Sequence, residues 1–176
     1  MTDTALFSAP WDQKLTLVTV AGSTLLLLGA TLAVWVSLTM VPPGPGRLLI
    51  LAGGVLSLGA FVFGALLAPR GYTVAGDRLT IDRLLHPVEI PLSAIRSVEL
   101  LSSDRLAGSS RTLGSGGLFG YYGRFRNQNL GSYRMYATRG DRYVLVRAAQ
   151  SFVLTPDSPE RFIAAIERGR GAVGGP

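Results

Sequence analysis

Two uninterrupted apolar runs decide what this chain can fold into. Leu15 to Met40, LTLVTVAGSTLLLLGATLAVWVSLTM, is 26 residues without a charge, and Leu48 to Ala68, LLILAGGVLSLGAFVFGALLA, is 21 more. A helix of roughly 20 apolar residues spans the ~30 Å hydrocarbon core of a bilayer, so the two runs predict membrane spans at 15–40 and 48–68. A secretory signal would carry an apolar core of only about 7–15 residues behind a basic stretch. Here the first run is longer, acidic Asp3 and Asp12 accompany Lys14, and a second run follows at once. The intervening VPPGPGR is too short and too rich in proline and glycine for anything but a tight turn, which makes the helices antiparallel neighbours in a hairpin over 15–68. Gly53, Ser57, Ala60 and Gly64 share one helical face suited to close backbone approach. Lys14, Arg70, Arg78 and Arg83 flank the hairpin, whereas its turn holds Arg47 alone. By the positive-inside rule both termini are expected in the cytoplasm, with residues 1–14 as a cytoplasmic tail.

Beyond Pro69 the hydrophobic period drops to two, and Gly, Pro, Asn and Asp punctuate short runs, the pattern of an antiparallel β domain. YTVAGDRLTIDRL reads as two strands joined at Gly76-Asp77. HPVEIP gives a third, bounded by Pro87 and Pro91 and so expected near an edge, and AIRSVELL a fourth. After a long interruption SYRMYAT and RYVLVRAA read as a hairpin across Arg139-Gly140-Asp141, and SFVLTP as a seventh strand. DSPERFIAAIERGRG then predicts a helix over 158–169, with Ser158 as N-cap and Pro159 at the first helical position, followed by a flexible tail, 171–176. Phe162, Ile163 and Ile166 form its apolar face, which would close one end of a seven-stranded sandwich or partial barrel.

That order of elements, together with IPLSAIRSVE and the GxFGxxGRF phrase of Gly117 to Phe125, resembles the bacterial PH (pleckstrin homology-like) domain family over residues 70–170. Members of that family often follow a pair of membrane spans. The resemblance implies a membrane-associated PH-like module; with the basic-residue imbalance and the lack of catalytic motifs, the expectation is a non-enzymatic binding module at the inner face of the bacterial cell membrane. In phosphoinositide-binding PH domains the basic pocket lies between the first two strands. Here that connection is only AGDR, so no headgroup site is expected there.

The connection of residues 102–131, between the fourth and fifth expected strands, is too long for an ordinary loop in a compact domain. From Arg105 to Gly140 there are six arginines and no acidic residue, with six of the chain's fifteen Phe, Trp and Tyr residues. Such density of aromatics argues against disorder. Arg111, Phe119, Tyr121, Tyr122, Arg124, Phe125, Arg126 and Arg134 are the candidate binding residues. Arginine and aromatics beside a membrane suit an anionic lipid surface or a protein partner, including self-association. The bland alternative is that Phe119, Tyr121 and Phe125 pack inward while the arginines are solvated. Tethering argues against nucleic acid.

Catalytic, metal and cofactor sites are not expected. With no cysteine there is no disulfide, thiolate ligand or cysteine nucleophile. GSGGLFG has Phe119 where a dinucleotide fingerprint needs its third glycine, and the one lysine, Lys14, is not in a Walker loop. His86 stands alone before Pro87. Asp82 and Glu89, close in sequence, read as solvated strand charges. The competing functional reading is a structural or assembly subunit in which the helical hairpin mediates association.

Overall fold

The computed structural model describes residues 4–173. Helix α1 runs Gln13–Thr39 and α2 Pro45–Leu67, matching the two apolar runs to within a few residues. The carboxylate of Asp12 caps α1 by accepting from the Leu15 amide at 2.7 Å, and Pro45 sits in the first turn of α2, where a missing N–H costs nothing. Both helices are long and apolar enough to cross a membrane, and the rest of the chain covers almost none of either. Gly53, Ser57 and Ala60 are exposed. The small-residue face of α2 is therefore not what packs on α1.

The β domain is two open sheets facing each other. The first is a meander of β1 (Ala5–Ser8), β2 (Gly71–Ala75), β3 (Arg78–Asp82) and β4 (Val88–Pro91), in that spatial order. A short helical turn, Leu92–Ala94, carries the chain to the second sheet. That sheet holds β5 (Ser97–Leu101), β6 (Ser110–Gly116), β7 (Tyr121–Asn127), β8 (Gly131–Ala137), β9 (Tyr143–Arg147) and β10 (Ser151–Leu154), ordered β5-β9-β10-β8-β7-β6. The expected helical hairpin, sandwich and closing helix are all present, with ten strands among the described residues in place of the seven expected, and β4 lies at an edge.

Three features depart from expectation. Residues 5–8, read as part of a tail, form strand β1, antiparallel to β2 with Phe7 opposite Tyr72 and Ser8 opposite Gly71. The strand exists because Phe7 has a core to enter; four residues ahead of a long apolar helix carry no period that reveals it. Second, SYRMYAT and RYVLVRAA do not pair with each other. β10 lies between them, parallel to β8 and antiparallel to β9; the turn joining β8 to β9 instead meets the foot of α1, where Thr138 donates to the Pro10 carbonyl and the Gly140 amide to Asp12 Oδ2. Third, the long connection is not a loop but a hairpin, β6–β7.

The main core fills the space between the sheets and is sealed by α3 (Pro159–Val173), which continues as helix through residues 171–173 where a tail was expected; residues 174–176 of that tail lie outside the described residues. Phe162 is fully buried, edge-on to Phe7 with ring centroids 5.1 Å apart and 5.8 Å from Tyr72. The Tyr72 hydroxyl ties the two sheets, donating to the Tyr136 carbonyl at 2.6 Å and accepting from the Thr155 amide at 3.1 Å. Burial pushes its pKa up to about 12. A second cluster on the outer face of the larger sheet joins Leu101, Phe125, Tyr133, Met135, Leu145 and Val153.

Candidate recognition surface

The glycine-rich stretch makes a tightly coiled two-stranded ribbon. Gly114 and Gly123 lie directly opposite each other in β6 and β7, each at φ +121°. A Cβ on Gly114 would stand 2.0 Å from the Tyr122 carbonyl oxygen, and one on Gly123 2.1 Å from that of Leu113. Only glycine fits either place. The glycines thus serve the close approach of two paired strands.

The ribbon ends in a tip, Gly117 to Gly120, that rests on the helical hairpin. A Cβ on Gly22 of α1 would come within 3.2 Å of Leu118 Cδ1, so the leucine occupies the space that glycine leaves. The Phe119 amide donates to Thr19 Oγ1 at 3.1 Å, and its ring sits edge-on to Phe61 of α2 with centroids 4.9 Å apart. Beside the tip, the Tyr122 hydroxyl donates to the Gly64 carbonyl at 2.6 Å. Burial raises the Tyr122 pKa, offset in part by Ser115 and by the charge of Arg83. At 1.5 Å per helical residue, Thr19 and Phe61 lie about two turns inside the ends of their helices. Two further contacts fix the same end of the domain: the Leu85 amide donates to the Leu66 carbonyl at 3.0 Å, and the β8–β9 turn binds Asp12 as described.

The eight candidate residues therefore divide by chemistry. Phe119 and Tyr122 are spent on the helices. Phe125 is buried and stacked on Tyr133, with ring centroids 6.0 Å apart, and Tyr121 is half-buried against the second cluster. Arg111, Arg124 and Arg126 are exposed and Arg134 half-exposed. Among the described residues none of these four has a carboxylate within ion-pair distance, whereas Arg78, Arg105, Arg139 and Arg147 each do. Arg124 and Arg134 face each other across β7 and β8, and the Arg111 guanidinium lies 2.9 Å from where a Cβ on Gly116 would stand. Asp82 accepts from Thr73 Oγ1 and Glu89 pairs with Arg78, so neither is poised for acid–base work.

Sequence reasoning missed Thr19, Gly22, Phe61 and Gly64, which receive the tip. Their signal is faint, since Thr and Gly inside an apolar run read only as small residues. It also missed the neighbours of the arginine pair, Thr112, Ser132 and Gln150, which line a cleft of about 400 Å³ with Arg124 and Arg134.

A two-sheet β domain sealed at one end by a C-terminal helix has the architecture of the PH-like class. A family model for the bacterial PH domain matches residues 70–169, and the chain belongs to that family. No curated protein and no solved structure shows a significant match.

Proposed function

We propose that the chain is a membrane-tethered, non-enzymatic binding module that recognises the anionic lipid surface beside its own anchor. Helices α1 and α2 would span the bacterial cell membrane, with both termini and the β domain at the cytoplasmic face. An apolar surface as uncovered as theirs is stable in lipid and not in water. The observation that carries the lipid reading is the division of the loop: its aromatics are committed inward, and its arginines are left outward without counter-charges along the strands that run on from the helix-bound tip. Each basic residue near an anionic leaflet contributes about 1 kcal/mol. A protein partner anchored on Tyr121 and Tyr122 would have to displace the Tyr122–Gly64 contact.

The full chain in detergent should retain anionic over neutral phospholipid in native mass spectrometry. Added salt should weaken that retention as the Debye length shrinks from about 10 Å at 0.1 M to about 3 Å at 1 M. Changing Arg111, Arg124 and Arg126 together to Gln should reduce it about a hundredfold. Unchanged retention in the triple variant would exclude this role.

Strand β1 makes the topology testable on its own. Because β1 pairs with β2, a cysteine at Leu6 and one at Gln128 must be labelled alike, and unlike one at Gly44, for two crossings to exist. With both ends cytoplasmic, only Gly44→Cys should react with an impermeant thiol reagent in intact cells, and the absence of native cysteine removes any background. Labelling of positions 6 and 128 with protection at 44 would invert the orientation.

One observation favours assembly through the hairpin as a second role. A groove of about 540 Å³ between α1 and α2 is lined by Leu27, Val34, Trp35, Leu51 and Leu58, and the Gly53, Ser57 and Ala60 face lies bare. Self-association that survives removal of the β domain would support it.

A further inference from the structure

We propose that Arg124 and Arg134 form a two-pronged site for a phosphate ester, a reading that rests on the anionic-surface role above and narrows it to one cleft. The two arginines are register partners in β7 and β8. Like charges directly opposite in paired strands repel, and no carboxylate among the described residues relieves them. A pair kept in that arrangement is poised for an exogenous anion, and guanidinium forks match the oxygens of a phosphoryl group two at a time.

The surroundings select the same chemistry. The cleft of about 400 Å³ presents Thr112, Ser132 and Gln150 beside the arginines, with no acidic side chain among its lining residues. The Thr112 hydroxyl already donates to the Arg124 carbonyl at 2.9 Å, which fixes β6 along one wall. Ser132 and the Gln150 amide add neutral donors to the charged ones. The space is larger than a bare phosphate needs and falls in the range of small-molecule sites, leaving room for a small polar substituent on the ester. Arg124 lies two residues along β7 from Tyr122, on the same face, hence about 7 Å from the residue whose hydroxyl meets α2. That places the cleft where a lipid headgroup or a soluble ester could each arrive.

The test uses the full chain in nanodiscs of neutral phosphatidylcholine, titrated calorimetrically with inorganic phosphate and with glycerol 3-phosphate. Saturable binding is expected, tighter for the glycerol ester, and reduced at least tenfold by Arg124→Gln and by Arg134→Gln but not by Arg161→Gln, at an exposed position on α3. Because relieving like-charge repulsion does not destabilise strands, Arg134→Gln should melt no lower than the wild type without ligand, and that measurement separates loss of binding from loss of fold. Repeating the titration in discs containing phosphatidylglycerol distinguishes the source. Weaker apparent affinity for the glycerol ester there means the lipid headgroup occupies the cleft; unchanged affinity means the ligand is a free phosphate ester. No saturable binding of either probe, together with normal anionic lipid retention in Arg134→Gln, would overturn the site. In that event a lipid-retention defect in the Arg111, Arg124 and Arg126 variant would still uphold the broader anionic-surface role.

Discussion

Joining Ala9 to Arg70 through a short glycine–serine linker should give a β domain that folds without the hairpin, whereas residues 70–176 alone should be severely destabilised. The first half follows from geometry: the Ala9 amide donates to the Arg70 carbonyl at 3.3 Å and Ser8 pairs with Gly71, so the two ends of the helical hairpin leave the sheet side by side. The second half follows from Phe7, which is buried in the core between the sheets and edge-on to Phe162. Removing a buried phenylalanine costs about 3–5 kcal/mol, and here the four backbone pairings of β1 with β2 go with it. Against a total stability of roughly 5–15 kcal/mol, that loss leaves little or nothing. Urea unfolding of the two proteins decides the matter. Equal midpoints would show that β1 is an ornament on a domain complete without it.

The same strand explains how far the sequence could be read. The two long helices were plain because more than twenty apolar residues in a row leave few other elements to form, and α3 was plain because Ser158, Pro159 and the spacing of Phe162, Ile163 and Ile166 agree on one answer. Strands β2 to β5 carry alternation strong enough to stand alone. β1 does not: Ala5, Leu6 and Phe7 become a strand only because β2, more than sixty residues later, offers an edge and a pocket. β6 failed for the opposite reason. Its SRTLGSG is exposed along almost all its length and has no apolar face to announce it; it exists because Gly114 can lie against Gly123. The order β9-β10-β8 was hidden because alternation shows which residues form strands and which face they present, but not which strands pair.

The candidate residues show the same division between composition and placement. Sequence put arginine and aromatics in one stretch but could not say that the strand period would separate them. Tyr122, Arg124 and Arg126 share one face of β7 and Tyr121, Phe125 and Asn127 the other. The tyrosine falls beside α2 while the arginines run on beyond it. Asn127 is held by donating to the Arg105 carbonyl at 2.7 Å, which closes the base of the ribbon over the second cluster. A stretch that looked like one binding loop is thus a brace at its tip and a charged surface along its length.

Phe162→Ala should unfold the sandwich while leaving the helical hairpin intact. Phe162 has no exposed surface and meets Phe7 from β1 and Tyr72 from β2. Truncation to alanine removes the ring and leaves a cavity among side chains that cannot all collapse into it, at a cost of about 3–5 kcal/mol. The damage spreads beyond the cavity, because Tyr72 is the residue that joins the sheets: its hydroxyl is buried, donates to the Tyr136 carbonyl and accepts from the Thr155 amide. Water admitted through the open end would compete for both hydrogen bonds. A Phe162→Leu variant fills part of the volume and should lose less, about 1–2 kcal/mol by the removal of fewer buried atoms. The helices α1 and α2 make their own backbone hydrogen bonds and need only lipid around them, so circular dichroism of Phe162→Ala in detergent should keep its helical signal while limited proteolysis cuts the region after Arg70. If the β domain of Phe162→Ala resists the protease as the wild type does, α3 does not seal the sandwich, and the stability of the domain must come from the two sheets alone.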